Sequence, residues 1–187
     1  MKTIYFVTGN KGKLLEAKEK LVPQGFEVVQ RNIGYPEIQA INLEDVALFG
    51  AEYIEKKISH PFMLEDAGLF IDTLEGFPGV YSSYVYYTIG LKGILKLLDG
   101  QSEDRRKAVF KSVIAYKEPD KKPRLFIGEC HGMIANQELG DHGFGYDPIF
   151  VPESDNRTFG QMEIGEKNRF SHRGKSLEKL LDFFKKR

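Results

Sequence analysis

The sequence predicts an α/β fold: a mixed sheet flanked by helices, arranged as two lobes around a cleft. Three observations carry that expectation. Short β-branched or aromatic runs alternate with amphipathic stretches in the first third of the chain. Two long β-rich runs flank a turn in the second half, and the last stretch has clear helical periodicity. At 187 residues the chain is long enough for one domain, burying roughly 70% of its unfolded surface.

Ile4 to Val7 reads as a buried strand. From Lys13, Leu14, Ala17 and Leu21 share one helical face, and Pro23 and Gly25 end the helix. "FEVVQRNI" (26–33) is a second strand, so the start is a β-α-β unit with a parallel crossover. A helix is expected over 42–58, with Asn42 as N-cap and Asp45 three residues on. "PFMLEDAGLFI" (61–71) is an apolar strand interrupted by two acids, and 89–100 reads as a helix stopped by Gly100. "KAVFKSVIAYK" and "RLFIGECHGMIA" form an antiparallel hairpin around "EPDKKP". Leu177, Leu180, Leu181 and Phe184 follow i, i+3, i+4, i+7 in a closing amphipathic helix.

Lys plus Arg and Asp plus Glu each number 27, so the formal net charge is zero. That balance argues against a nucleic-acid polymer as partner at the level of the whole molecule. The single Cys130 allows no internal disulfide and fits a reducing compartment. With no apolar run of membrane-spanning length and no signal-peptide pattern, the expectation is a soluble, cytoplasmic protein without a membrane partner.

Five stretches look chemical. In "TGNKGK" (8–13), backbone N–H groups at a strand-to-helix turn favour anions, and a lysine adds charge. It is not a Walker A loop, because two residues rather than four separate Gly9 from Gly12 and Leu14 follows Lys13. An Asn-Gly-type turn with a solvated lysine reads as well. In "LEDAGLFIDTLEGFPGVYSSYV" (64–85), Glu65 and Asp66 point to opposite strand faces, so one acid can face a cleft while the other is paired. Mg²⁺ suits one or two such carboxylates with water and phosphate oxygens; a strand end with solvated acids is the alternative.

"YPEIQ" (35–39) offers Glu37 as a second metal carboxylate or an ordinary surface acid. "GFGYDPIFVP" (143–152) puts Phe144, Tyr146 and Asp147 together, either an aromatic face for a base or a buried turn. "GEKNRFSHRGKS" (165–176) places Lys167, Arg169, His172 and Arg173 just before the last helix. Ser171 is its candidate N-cap. The histidines and Cys130 show no zinc spacing, and no nucleophile elbow is present.

Taken in order, "TGNKGK", "PEIQ", "EDAGL…GFPGVYS", "FGYDPIF" and "EKNRFSHRGK" resemble the inosine triphosphate pyrophosphatase family, its archaeal members most of all. The likeness runs over nearly the whole chain. It implies a single pyrophosphatase domain over 1–187, with an elongated mixed sheet and two lobes around a central substrate cleft. It also implies Mg²⁺-dependent cleavage of XTP, ITP and dITP to monophosphate and pyrophosphate, and a homodimer.

By the resemblance, Thr8, Gly9, Asn10, Lys11, Gly12 and Lys13 cradle the triphosphate, and Glu37 and Asp66 hold Mg²⁺. Asp66 also orients or deprotonates the attacking water, and the backbone at Ala67 contacts substrate. Phe144, Gly145, Tyr146 and Asp147 form part of the base pocket, with Phe144 stacking on the purine. Lys167, His172 and Arg173 complete it, an Arg173 donor favouring bases that present O6 as an acceptor.

The sequence departs from the family pattern twice. Ala67 stands where many bacterial relatives have Ser, and the second helix lacks a lysine near Gly50, so one phosphate-neutralising charge is missing or comes from elsewhere. Two other functions remain in view: a pyrophosphatase for modified pyrimidine nucleotides, and a nucleotide sensor that does not hydrolyse. Glu37, Asp66 and Lys13 are all present, which argues against the sensor.

Overall fold

The structure, a computed structural model, describes residues 2–36 and 38–186. The β-branched run at the start forms β1 (Lys2–Val7), followed by α1 (Lys11–Leu21) and β2 (Phe26–Arg31). β1 and β2 are parallel, Ile4 opposite Val28, as the β-α-β reading expects. α1 starts two residues before the expected Lys13, because Asn10 caps it: its side chain accepts from the Lys13 N–H. Asn42 likewise caps α2 (Leu43–Ile54), which stops short of residue 58.

β3 (Phe62–Ile71) runs parallel to β1 and antiparallel to its neighbour on the other side, the fifth strand. β4 (Pro78–Gly79) is a short return strand on β3. The stretch expected as one helix over 89–100 is α4 (Gly90–Leu97), and a separate α3 (Ser82–Thr88) precedes it. Gly90, with φ of 64°, divides them. β5 (Lys107–Lys117) and β6 (Arg124–Ile134) form the expected antiparallel hairpin, and β7 (Phe150–Pro152) pairs with the end of β6. α5 (Ile164–Lys167) and α6 (His172–Lys185) follow.

Among the described residues these strands make one seven-stranded mixed sheet in the order β2-β1-β3-β5-β6-β7, with β4 beside β3. On one face, Ala17 and Leu21 of α1 and Leu177, Leu180 and Leu181 of α6 pack on Ile4, Met63 and Ile114. On the other, Leu43, Ala47, Ala51 and Ile54 of α2 pack on Val7, Leu64 and Val113. A third cluster joins Leu69, Ile71 and Phe110 to α3, α4 and the segment around Phe150 and Phe159. No helix of the described residues is long and apolar enough to cross a membrane.

The first turn of α6 is pressed onto β6 at Gly128. A Cβ there would lie 2.5 Å from the Ser176 nitrogen and against the His172 carbonyl oxygen. Both neighbours are backbone, so no rotamer change relieves the contact. Gly128→Ala is therefore expected to lift the α6 start from the sheet and cost about 1–3 kcal/mol in urea denaturation. Wild-type stability in the variant would show that α6 docks with room to spare.

Candidate active site

β1 pairs with β3 as far as Leu64, and β4 takes over at Leu69. Between them, Glu65–Gly68 have β5 on one side and, among the described residues, no strand on the other. A cleft of about 840 Å³ opens at this gap, a size typical of small-molecule sites. It also lies at the carboxyl end of β1, which the chain leaves for β2 on one side before crossing back to β3 on the other, the switch point at which open α/β sheets bind ligands.

The start of α1 forms one wall. The Asn10 N–H donates to Thr8 Oγ1 at 3.1 Å, and the Lys13 N–H donates to Asn10 Oδ1 at 3.0 Å. These side chains satisfy part of a turn whose N–H groups have no partner within the helix. Thr8, Gly9, Asn10 and Lys13 face the cleft; Lys11 is exposed and Gly12 is covered by the Phe144 ring, so neither is on its wall. The Lys13 ammonium sits 2.8 Å from Glu65 Oε2 and donates to the Glu65 carbonyl at 3.0 Å.

Behind this wall lies a buried charge cluster. Lys167 Nζ donates to Glu16 Oε1 and Asp147 Oδ2, both at 2.6 Å. Arg173 donates to Glu16 Oε2 through one terminal nitrogen and to Glu65 Oε1 at 3.2 Å through Nε. Ser112 adds a hydrogen bond to Glu65 Oε1 at 2.7 Å. Three cations, Lys13, Lys167 and Arg173, thus meet three carboxylates, Glu16, Glu65 and Asp147.

Burial opposes ionisation of Glu65 most strongly, yet Arg173 and Lys13 outweigh it and hold the carboxyl well below its ordinary range. Glu16 is lowered in the same way, against burial, by Arg173 and Lys167. Asp147 goes the other way: burial and the nearby Glu16 charge raise it in spite of Lys167. Glu65 is the paired acid of the doublet that the sequence singles out, whereas Glu16 was not among the residues read from the sequence. The one available signal for Glu16 is its place three residues after Lys13, beside the Leu14–Ala17–Leu21 stripe.

Ser171 caps α6 as expected, accepting from the Gly174 N–H at 3.0 Å. His172 is 3% exposed and stacks on Phe110, centroids 4.4 Å apart and planes 9° off parallel. Burial, then the Arg173 and Lys167 charges, push its pKa well below the ordinary value, so the ring is neutral. Its Nδ1 is buried without a hydrogen-bond partner, and the residue lines the cleft. A bound ligand would answer such an atom.

On the strand gap, half-buried Asp66 and Ala67 both line the cleft, and Asp66 lies on the face of β3 opposite Glu65. Glu37 lies outside the described residues. The position near Gly50 holds an aromatic ring: a Cβ on Gly50 would be 2.9 Å from Tyr35 Cε2, and Tyr35 lines the cleft.

The remaining wall comes from 143–147. Asp147 Oδ2 accepts from the Phe144 N–H at 2.8 Å. The Phe144 ring centroid is 5.1 Å from Lys167 Nζ and 5.3 Å from Arg173 Cζ. Gly145 lies on the wall beside it. Tyr146 contributes to the wall, but its hydroxyl is spent on the Ser82 carbonyl at 2.8 Å, tying this segment to α3.

The site fixes a pH signature. His172 is neutral in the fold, whereas the unfolded chain protonates it near the ordinary 6.5. Stability is therefore intact above 6.5 and falls as pH drops toward the lowered folded value. Glu16 and Glu65 contribute fully above 4.5 and lose that contribution as pH falls through their lowered folded values. Asp147 has the opposite sign, complete below 3.8 and lost as pH rises through its raised value. Thermal scans at constant ionic strength should show the Tm declining from pH 6.5 downward and again below 4.5. His172→Asn should lack the upper decline and keep the lower one; an unchanged profile would acquit His172.

A family model described as the Ham1 family matches residues 4–183. The dITP/XTP pyrophosphatase of Pyrococcus horikoshii is 54% identical over 182 residues, covering 97% of this chain and 96% of the relative. That of Thermococcus kodakarensis is 52% identical over 180 residues, covering 96% of each. The structure of a HAM1 protein from Coxiella burnetii superposes with a TM-score of 0.86 at 30% identity, over 100% of both chains. The resemblance read from the five motifs is borne out: over nearly its whole length, this chain belongs to the Ham1 family.

Proposed function

We propose that this protein is a Mg²⁺-dependent pyrophosphatase that hydrolyses deaminated purine nucleoside triphosphates, XTP, ITP and dITP, to the monophosphate and pyrophosphate, so clearing the nucleotide pool. The observation that carries the reading is the cleft at the sheet gap, with a capped helix start at one end and a charge-balanced, aromatic-walled recess at the other. Relatives named dITP/XTP pyrophosphatase support the substrate class.

In this reading the triphosphate lies along Thr8 to Lys13, where the helix N-terminus and the Lys13 ammonium favour negative charge. The open edge of β3 presents backbone groups at Ala67 to the substrate, so a hydroxyl there is dispensable. Half-buried Asp66 on an open cleft suits an ion that completes its shell with water and phosphate oxygens, and Asp66 with Glu37 would hold it. Bound there, Mg²⁺ would neutralise phosphate charge. Asp66 orients the attacking water and takes its proton, and the protein otherwise positions the reacting groups in line.

The purine enters between Phe144 and the α5–α6 turn. Lys167 has three donors and Arg173 five, of which the carboxylates take only part. The rest favour a base with an acceptor at O6, and adenine, with an amine there, leaves them unmatched. Lys13 is also paired, with Glu65, but it is the least buried of the three cations, so it and the α1 start answer the phosphates.

The same reading takes the chain as one domain whose two lobes flank the cleft, working in the cytoplasm where nucleotide precursors are found. It takes the enzyme to be a homodimer. Phe77, Tyr81, Tyr84 and Ile89 are exposed on and around α3, an aromatic patch of the kind interfaces bury. Sedimentation should give a dimer for the wild type and a monomer for Tyr84→Glu; a monomeric wild type would remove the assembly from the reading.

The decisive assay is pyrophosphate release from XTP, ITP, dITP, ATP, GTP and methylated pyrimidine triphosphates, with and without Mg²⁺. Deaminated purines should lead by about a hundredfold over ATP, and Asp66→Asn should abolish turnover. Preference for the pyrimidines would move the assignment to the modified-pyrimidine enzymes. Tight ITP binding without release would make the protein a sensor, and full activity in Asp66→Asn would sink the mechanism.

A further inference from the structure

Gly12 invites the expectation that it is a phosphate-loop glycine, but its surroundings point elsewhere. It is the second residue of α1, and its backbone is ordinary helix, so no dihedral calls for glycine. Glycine within a helix costs about 1 kcal/mol relative to alanine. What fills the space of the missing side chain is Phe144: a Cβ on Gly12 would lie 2.6 Å from its Cε1 and 2.9 Å from its Cγ.

Phe144 is held from other sides as well. Its N–H is fixed on Asp147 Oδ2, and its ring lies near the Lys167 and Arg173 charges. Gly143 and Gly145, with φ of 75° and 62°, flank it and set the backbone from which the ring projects. A methyl group at position 12 overlaps the ring and displaces it toward the cleft that it lines.

We propose that Gly12 is a positioning residue for recognition of the base. By carrying no side chain, it lets Phe144 seat its ring on the first turn of α1. The helix whose N-terminal end faces the phosphates then also sets the place of the ring that faces the base. The proposal rests on the reading above, in which Phe144 meets the purine. It makes Gly12 act on the base end of the substrate, although the sequence puts it in the phosphate loop.

Gly12→Ala separates the two roles when assayed with dITP and XTP, and with inorganic tripolyphosphate as a competing ligand that has no base. KM for both nucleotides should rise about tenfold, with kcat within about threefold and Ki for tripolyphosphate within about twofold of wild type. A Ki that climbs in step with KM would assign Gly12 to the phosphates, and an unchanged KM would remove it from recognition; either overturns the proposal. Should the variant unfold at assay temperature, Gly12→Ala is compared in a Phe144→Leu background, where it should regain thermal stability and add nothing further to KM. Additive losses there overturn the coupling. If the wild type hydrolyses neither nucleotide, the functional reading fails by itself, and a crystal structure of Gly12→Ala decides the contact: a displaced Phe144 ring supports it, an unmoved ring ends it.

Discussion

The interior of this protein is organised around a requirement of charge balance. Lys13, Lys167 and Arg173 are withdrawn largely or wholly from water together with Glu16, Glu65 and Asp147. Each ion alone would forfeit several kcal/mol of hydration, and only close pairing with added hydrogen bonds offsets that. The partners come from α1, β3, the turn before β7, and the α5–α6 junction, so the cluster specifies how these elements approach one another. An apolar core of equal volume would tolerate sliding; six charges with fixed partners do not.

That balance shapes the chemistry of the cleft. The recess beside Phe144 is neutral in sum and so has no general attraction for anions; in the proposed function this leaves the phosphates to the helix start. Selectivity at the base end would then come from the direction of individual donors, with a neutral His172 whose Nδ1 has no internal partner. A charged imidazole there would add a fourth cation to a set that three carboxylates already match. Burial and the neighbouring positive charges keep that from happening.

Much of this was legible in the sequence, for reasons that differ by element. β1, β5, β6 and α6 have strong periodicity and tertiary packing that agrees with it. Asn10, Asn42 and Ser171 act as caps where such residues precede helical stretches, although α1 begins earlier than its apolar stripe indicates. α3 was missed because "SSYVYYT" has β-branched and aromatic residues and no apolar face of its own; Tyr84 and Tyr87 stay exposed. Most of the motif residues do converge on one cleft. Lys11 and Gly12 do not line it, since Lys11 is exposed outside it and the Phe144 ring covers Gly12. Glu65 is legible as the paired acid of the Glu65–Asp66 doublet, and Asp147 as part of the pocket, but Glu16 is not, because a buried acid on an amphipathic helix is spelled like a solvated one. Tyr35 packs on Gly50, a contact between a loop and a helix that no local pattern encodes.

The cluster also sets an order of events in time. Glu16 and Lys167 are 151 residues apart, and Glu65 and Arg173 are 108 apart. Contacts so distant along the chain are slow to close and form late. During synthesis the β-α-β unit can pair, and Lys13 can reach Glu65, while Glu16 remains hydrated because the cations that Lys167 and Arg173 supply have yet to emerge. Drying of that interior therefore waits for residues 167–173. The cleft is completed only in the last stage of folding, and a partly made chain holds the start of α1 without the wall that the α5–α6 junction supplies.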